Sequence, residues 1–274
     1  RMFNRSTKEK KEKMRSEGKI ELYNEDCIQT MKRIADGTVD LILTDPPYNT
    51  TACEWEYDID LNALWIEWQR ILKPSGVIVV FADEPFTSRL ITSKLDWFKI
   101  RVTWDKMTAS GFLNAKKMPL KQTEDAVIFS GVKNGNYTYN PILKDKPKHN
   151  IRPIGNRKPV GKTTYGSHNG KYSEDYDPTK NYPTNLLSIM AKQDECNSVN
   201  RWHPTQKPTE IMQWFVKTFS NQNELVFDGY SGSGTTAIAC EIENRNFIGS
   251  ELNEDYFKKA LQRIKDETAQ TKLF

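Results

Sequence analysis

The chain has 274 residues, of which 37% are hydrophobic and 11% aromatic, enough to bury one substantial core with a smaller attached lobe. No apolar run approaches the roughly 20 residues a membrane span needs, and the opening 19 residues lack the apolar middle of a secretory signal, so a cytoplasmic location is expected. The formal net charge is only +4, and Cys27, Cys53, Cys196 and Cys240, with His149, His168 and His203, are scattered without metal-ligand spacing, so neither a disulfide framework nor a metal centre is expected.

Residues 1–19 carry eight Lys or Arg against three Glu and read as a basic, solvated N-terminal extension. Residues 20–24 read as a short strand, and residues 28–35 have helical spacing. Residues 39–44 (VDLILT) form an apolar, branched run of the kind buried on both faces of a parallel sheet, and the run ends at Asp45. Residues 61–72 repeat apolar side chains at helical intervals; Lys73, Pro74, Ser75 and Gly76 close that helix ahead of a buried strand at 77–81. Residues 86–95 read as a helix, and residues 98–104 and 126–129 as strands.

Residues 132–185 break this pattern. They carry ten Lys or Arg against four acids, with six of the eleven tyrosines and six of the thirteen prolines, and show no sustained periodicity. Basic and aromatic side chains interleaved on irregular backbone suit phosphate contact with stacking or groove insertion. The alternation then resumes: a helix at 209–220, a strand at 225–228, a helix at 235–243, a strand at 247–251 and a last helix over 254–267. Trp55, Trp65, Trp68, Trp97, Trp214, Met190 and Met212 read as packing residues.

Strands alternating with helices predict an α/β fold with a doubly wound, mostly parallel sheet, which binds ligands beyond the carboxyl ends of its strands. Three polar clusters stand at such ends: Asp45 to Tyr48, Asp228 to Thr236, and Glu251. In the second, Asp228, Gly229, Tyr230, Ser231, Gly232, Ser233, Gly234, Thr235 and Thr236 make a strand end, a glycine-rich turn and a helix start, where backbone can approach a ligand closely. Some twenty residues on, Glu251 is placed to accept from the hydroxyls of a ribose. The third glycine of the dinucleotide fingerprint is missing, so an adenosine-type ligand is favoured over a pyrophosphate.

The first cluster, Asp45, Pro46, Pro47 and Tyr48, is the most specific feature of the chain. Two consecutive prolines fix two φ angles, so the Asp45 carboxylate and the Pro46 carbonyl make a stiff pair of acceptors. An exocyclic amino group has two N–H donors to satisfy, and Tyr48 adds a surface for stacking. That combination suits a base swung out of a duplex.

These motifs resemble the amino-methyltransferases of DNA, which pair an Asp-Pro-Pro-Tyr catalytic motif with a Phe-x-Gly-x-Gly type cofactor loop. Here the catalytic motif precedes the cofactor loop with the basic segment between them, similar to the circularly permuted β group, and the resemblance covers residues 20–267. It implies a Rossmann-like methyltransferase sheet, with residues 20–107 as the catalytic half, 108–200 as an inserted target-recognition region whose strand near 123–130 joins the core, and 201–274 as the cofactor half. It implies S-adenosylmethionine as methyl donor, no metal, and double-stranded DNA as partner. Asp26 and Cys27 resemble the segment that receives the cofactor's adenine, Thr205 and Lys207 lie in the His-Pro-Thr-Gln-Lys-Pro stretch near its methionine end, and Glu251 and Leu252 resemble the ribose-binding strand end. Trp104, Lys106 and Glu124 also match family positions, as do Asp255, Tyr256 and Phe257. The loop departs from the family in having Gly229 and Tyr230 where Pro and Phe are usual.

Aspartate at position 45, where cytosine-N4 enzymes often carry serine, tilts the implied target to adenine N6, with cytosine N4 as the alternative. Arg152, Arg157, Lys158 and Lys162 are the phosphate candidates on local charge density. A homodimer and a cognate restriction endonuclease stand as open partners. A dinucleotide-dependent enzyme would share the glycine turn and Glu251 but has no use for the Asp45 motif beside a basic insertion. A non-catalytic DNA-binding relative would keep the basic segment and has no need of Asp45.

Overall fold

A computed structural model describes residues 13–16, 20–48, 59–133, 136–151, 160–163, 166–168, 177–190, 202 and 206–271. In chain order the strands are β1 (Lys13–Ser16), β2 (Ile20–Tyr23), β3 (Val39–Thr44), β4 (Leu72–Ala82), β5 (Phe98–Ser110), β6 (Lys121–Phe129), β7 (Lys144–Asp145), β8 (Val160–Thr163), β9 (Gly166–His168), β10 (Lys180–Asn181), β11 (Leu186–Ser188), β12 (Leu225–Asp228) and β13 (Asn246–Ser250). The α-helices are α1 (Cys27–Met31), α2 (Leu61–Ile71), α3 (Phe86–Ser93), α4 (Thr209–Phe219), α5 (Thr235–Ile242) and α6 (Glu254–Thr271).

Nine strands form one sheet in the order β1-β2-β13-β12-β3-β4-β6-β5-β11. From β2 through β4 the neighbours are parallel, β6 runs antiparallel to both β4 and β5, and β11 lies parallel to β5. The doubly wound α/β expectation holds, with an antiparallel wing on the β6 side. All six residues of β3 are buried, as its uninterrupted apolar run requires for a strand paired and covered on both sides. Its one acid, Asp40, is satisfied by Lys73 at 2.7 Å and by the Leu225 amide at 2.9 Å.

Two apolar clusters cover the two faces. Met31, Leu64, Trp65, Trp68 and Phe86 from α1 to α3 pack against Ile42, Ile78 and Val80. Phe215, Ala239, Phe257 and Ile264 from α4 to α6 pack against Leu41, Val79 and Phe81. The alternation of Leu41/Ile42 and Val79/Val80 between clusters is the period-2 reversal of a strand. Helix α2 buries Leu61, Leu64, Trp65, Trp68 and Ile71 at helical spacing, and the Asp60 side chain caps it by accepting from the Asn62 and Ala63 amides.

Several sequence expectations shift at the element boundaries. Residues 28–35 do not continue as one helix: after Met31 the Arg33 and Ile34 amides bond three residues back, to Thr30 and Met31, closing tight turns that periodicity cannot distinguish from α-helix. Residues 73–76 do not close α2 but run on within β4, where the register against β3 slips between Val39 and Leu41. Residues 13–16 pair antiparallel with β2, so part of the basic extension is a sheet-edge strand. Met190 is more than half exposed and is not a packing residue, whereas Trp65, Trp68 and Met212 are buried. Trp55 lies outside the described residues.

The chain divides into two compact units, one of residues 1–140 with 185–274 and one of Pro141–Thr184. The first holds the nine-stranded sheet. The second holds β7 paired with β10 and β8 paired with β9.

Candidate functional site

Four adjacent parallel strands, β2, β13, β12 and β3, end on one edge of the sheet. Beyond their carboxyl ends lies a cavity of about 370 Å3, within the range for small-molecule sites. Into it come Asp26 and Cys27 after β2, Asp45, Pro46, Pro47 and Tyr48 after β3, Asp228, Gly229, Tyr230, Ser231, Gly232 and Ser233 after β12, Thr235 and Thr236 from α5, Glu251 and Leu252 after β13, and Lys207 ahead of α4. Of the residues nominated for chemistry or cofactor, Gly234 stands behind the lining and Thr205 lies outside the described residues. Glu25, Gln206, Met212, Asn253 and Tyr256 also line the cavity and were not nominated as site residues. Gln206 and Tyr256 stand within motifs the resemblance picked out; a turn or an apolar helix position gave no signal for Asn253 or Met212.

The glycine turn is pinned from both sides. Asp228 is 2% exposed and has its carboxylate fully engaged: Thr44 Oγ1 donates to it at 2.7 Å, the Tyr230 amide at 3.0 Å and Thr236 Oγ1 at 2.6 Å. Burial pushes its carboxyl above the usual range, and those three donors hold the shift back. It therefore ties β3, the turn and α5 together at one buried point. Gly234 caps α5 at φ +76, and a β-carbon there would also press on Ile264 at 3.1 Å, which is why glycine stands at this position. On the neighbouring strand a β-carbon at Gly249 would fall 2.4 Å from Ser231 Oγ, so Gly249 lets the turn lie against β13. Arg263 of α6, 1% exposed, donates to Thr235 Oγ1 at 2.7 Å and to Ser233 Oγ at 3.1 Å. No local pattern announces this contact, since an arginine in a charged amphipathic helix reads as solvated. Where the family usually has Pro and Phe, Gly229 packs closely on Cys27, and Tyr230 hydrogen-bonds that thiol, whose pKa burial nevertheless pushes up to about 11.

Glu251 receives the Gly232 amide on Oε2 at 2.9 Å and the Asn253 amide on Oε1 at 2.8 Å. Its burial outweighs those two bonds and raises its pKa to about 7. Each oxygen keeps a further lone pair for a guest hydroxyl. Asp26 caps α1 through the Ile28 amide at 2.9 Å.

Beside the glycine turn stands a chain of charges. Lys207, 8% exposed, reaches Asp45 Oδ2 at 2.6 Å and Glu124 Oε1 at 2.7 Å, while Lys106 stands 3.6 Å from Glu124 Oε2. Burial works against the Lys207 ammonium, but the two carboxylates outweigh it and hold its pKa well above the ordinary value. Glu124 is pulled below the carboxylate range by Lys207, Lys106 and Lys121 against the push of burial. For Asp45 burial prevails over Lys207, with Glu124 and Asp228 adding to it, and its pKa rises to about 6. Asp45 Oδ1 is buried with no hydrogen-bond partner among the described residues, and so is Gln206 Oε1. A buried acceptor left unmet costs on the order of 1–3 kcal/mol, so two of them on one cavity wall mark a place for a donor. Tyr48 stacks on Phe86 with ring centroids 5.6 Å apart and planes 14° apart, which fixes its ring at the cavity wall.

The lining carries Glu25, Asp26, Asp45, Asp228 and Glu251 against Lys207 alone, with Glu25 neutralised by Arg33 at 2.8 Å. Such a wall repels a pyrophosphate and welcomes a cation with a ribose; S-adenosylmethionine, an adenosine with a positively charged sulfur, fits that donor and acceptor set. Of the phosphate candidates, Arg152, Arg157 and Lys158 lie outside the described residues, and Lys162 is on β8.

A family model described as a DNA methylase, the N6/N4 methyltransferases, matches residues 39–262. Among curated relatives, the chain is 27% identical to Type II methyltransferase M1.MboII of Moraxella bovis over 87% of this chain and 94% of that protein, and 29% identical to DNA adenine methyltransferase YhdJ of Escherichia coli over 87% and 80%. Among solved structures it is similar to the M1.HpyAVI–SAM complex, with a TM-score of 0.58 and 25% identity over 89% of this chain and 99% of that one. With a family model spanning most of the chain and a fold similar to that of the S-adenosylmethionine complex, the chain belongs to the N6/N4 DNA methylase family, methyltransferases that draw their methyl group from S-adenosylmethionine.

Proposed function

We propose that this protein methylates the N6 amino group of adenine in double-stranded DNA, at a specific site, with the base turned out of the helix into the cleft at Asp45. The single observation that carries the reading is the Asp45 carboxylate: one oxygen is held by Lys207, and the other is buried on the cavity wall without a partner among the described residues. Asp45 Oδ1 is the acceptor on offer to one N–H of an amino group, and the Pro46 carbonyl, stiffened by two prolines, is the second. Two acceptors on one nitrogen favour a pyramidal geometry with the lone pair directed away from them. With a pKa of about 6, Asp45 is ionised near neutral pH and too weak a base to deprotonate a neutral amine, so it orients the nitrogen, and the proton leaves after transfer. The Tyr48 ring, backed by Phe86, supplies a stacking surface that offsets part of the cost of extruding the base, a few kcal/mol.

S-adenosylmethionine, when bound, supplies a methyl group on a positively charged sulfur. Glu251 holds the ribose end, Asp26, Cys27 and Leu252 the adenine side, and the turn from Asp228 to Thr236 with Lys207 the methionine side, to which the family resemblance also assigns Thr205, outside the described residues. Holding two partners in line in this way accounts for a large share of such a rate enhancement. Aspartate rather than serine at position 45, and the relative whose printed name is a DNA adenine methyltransferase, support N6 over N4. Residues 108–200 are read as the target-recognition region on their basic, aromatic composition. The Type II names of the relatives support placing the enzyme beside a restriction endonuclease of the same site.

The test is incubation of the protein with methyl-labelled S-adenosylmethionine and mixed-sequence DNA, followed by nucleoside analysis. N6-methyladenine is the expected product. N4-methylcytosine would overturn the choice of base, and no methylated nucleoside would overturn the reading.

A further inference from the structure

We propose that the β5–β6 hairpin tip is a wedge that enters the DNA duplex at the target base pair, with Phe112 and Leu113 filling the space the extruded base leaves and Lys116 and Lys117 holding the adjoining phosphates. The inference rests on the base-extruding reading above and adds a surface to it.

Three independent features of the hairpin carry it. The first is topology. Strand β4 ends at Ala82 on the edge where Asp45 follows β3, and Ala82 pairs with Asp125 of β6, which pairs with Thr103 of β5. Strand β5 runs in the same direction as β4 and continues from Thr103 to Ser110. Because β5 bulges between Asp105 and Ser110, its partner β6 covers the same stretch in four residues, Asp125 to Lys121, and at about 3.3 Å per residue the paired arm projects roughly 13 Å beyond that edge, with the turn from Gly111 to Leu120 at its end. Its base carries Glu124, which Lys207 links to Asp45, so the arm is anchored at the acceptor site itself.

The second feature is exposure. At the tip Leu113 is 98% exposed, Phe112 69% and Met118 58%. Leaving three large apolar side chains at the end of a projecting arm, two of them on a tight 3-10 turn over Phe112–Asn114, forgoes burial that ordinary folding would take. The turn is entered through Gly111 at φ +82, a left-handed conformation that glycine adopts without strain.

The third feature is charge. Residues 106–123 contain four lysines and no acid. The side chains of Lys106 and Lys121 reach back to Glu124 and Asp83, while Lys116 and Lys117 are exposed next to the apolar tip. An apolar point between lysines matches a base stack between phosphates, and a tip only one turn long beside a base-sized cleft suits a duplex better than a membrane surface. Proteins that deform DNA use apolar wedges in this manner, unstacking a step while cations hold the backbone.

The experiment uses the full chain and a duplex oligonucleotide bearing the methylated site found by sequencing methylated mixed DNA. Phe112→Ser with Leu113→Ser is compared with the unaltered protein on that duplex and on the same duplex with an abasic site opposite the target, where the base needs no prying out. The expected result is a loss of at least tenfold in methylation of the intact duplex, with abasic-opposed methylation within about twofold, and loss of the fluorescence rise from 2-aminopurine at the target position. Equal loss on both duplexes, or no loss on either, overturns the wedge, as does a dimer in the unaltered protein that the variant dissolves. Lys116→Gln with Lys117→Gln should lower the slope of log affinity against log salt by about two; an unchanged slope removes the lysines from the proposal. If the unaltered protein methylates no DNA at all, the reading of the site has failed and the wedge falls with it, whereas an active unaltered protein with an indifferent variant sinks the wedge alone.

Discussion

Asp45 feels three neighbouring charged groups, Lys207, which it contacts, Glu124 beyond that lysine, and Asp228. Its ion pair with Lys207 fixes which oxygen is offered to the cleft. Replacing Asp45 by Ala is expected to lower methyl transfer by at least about 100-fold, the scale of losing one positioned group in a dry site, while cofactor titration stays within a few-fold of the unaltered protein. Near-normal turnover in single-turnover kinetics would remove Asp45 from the chemistry. Glu251 makes a pH prediction. Its pKa rises from 4.5 to about 7 on folding, so between those values the folded chain binds a proton that the unfolded chain has released. Its contribution to stability therefore falls as pH rises through that window. A ribose held by the ionised carboxylate has the opposite dependence, and S-adenosylmethionine affinity should weaken by up to about tenfold per pH unit below 7. Calorimetric titration from pH 5.5 to 8.5 measures it, and Glu251→Gln should flatten the profile; a flat profile in the unaltered protein would take Glu251 out of ribose binding.

At the scale of elements, the glycine turn and α5 act as one unit because buried polar groups bridge them. Asp228 binds the turn to β3 and to α5, and Arg263 reaches over from α6 to the first residues of the same helix. Replacement of Arg263 by Met keeps the side chain's bulk and leaves Ser233 Oγ and Thr235 Oγ1 without their buried donor. We expect a loss of about 1–3 kcal/mol in urea unfolding together with weaker S-adenosylmethionine binding, while the β-sheet far-ultraviolet signal persists below the transition. Stability equal to the unaltered protein would make Arg263 dispensable to the turn. This element also marks a boundary of what the chain reveals by inspection. The glycines and Asp228 announce the turn because only glycine meets its backbone demands. Arg263 is silent because its partner lies 28 residues away, and no local pattern encodes that meeting.

For the molecule as a whole, the surplus of basic charge is concentrated in residues 1–19 and 132–185. Most of those residues lie outside the described ones or in the small unit Pro141–Thr184, so their share in DNA binding is a matter of charge, not of contact. Removing the charges at Arg152 and Lys158 by substitution with Gln should weaken DNA binding and reduce the salt slope by about two, since each phosphate neutralised contributes close to one. Fluorescence anisotropy at several salt concentrations reads both quantities, and an unaltered slope would reject the pair as phosphate contacts.

Sequence alone determined the layered α/β fold, the two faces of β3 and β4, and the identity of the cluster from Asp45 to Tyr48, because strand burial, helical spacing and proline stiffness are local properties that side-chain order expresses directly. It did not determine that α1 closes after Met31, that residues 73–76 stay in the sheet, or that β6 runs against its neighbours, since each depends on which backbone group a distant strand or turn presents. Only the tertiary structure decided that Lys207 joins Asp45 to Glu124 across 162 and 83 residues of chain, and that the β5–β6 arm leaves the sheet at the edge of the cleft. Both are consequences of long-range pairing, which brings groups together by strand order and register, quantities that a single sequence carries no local sign of.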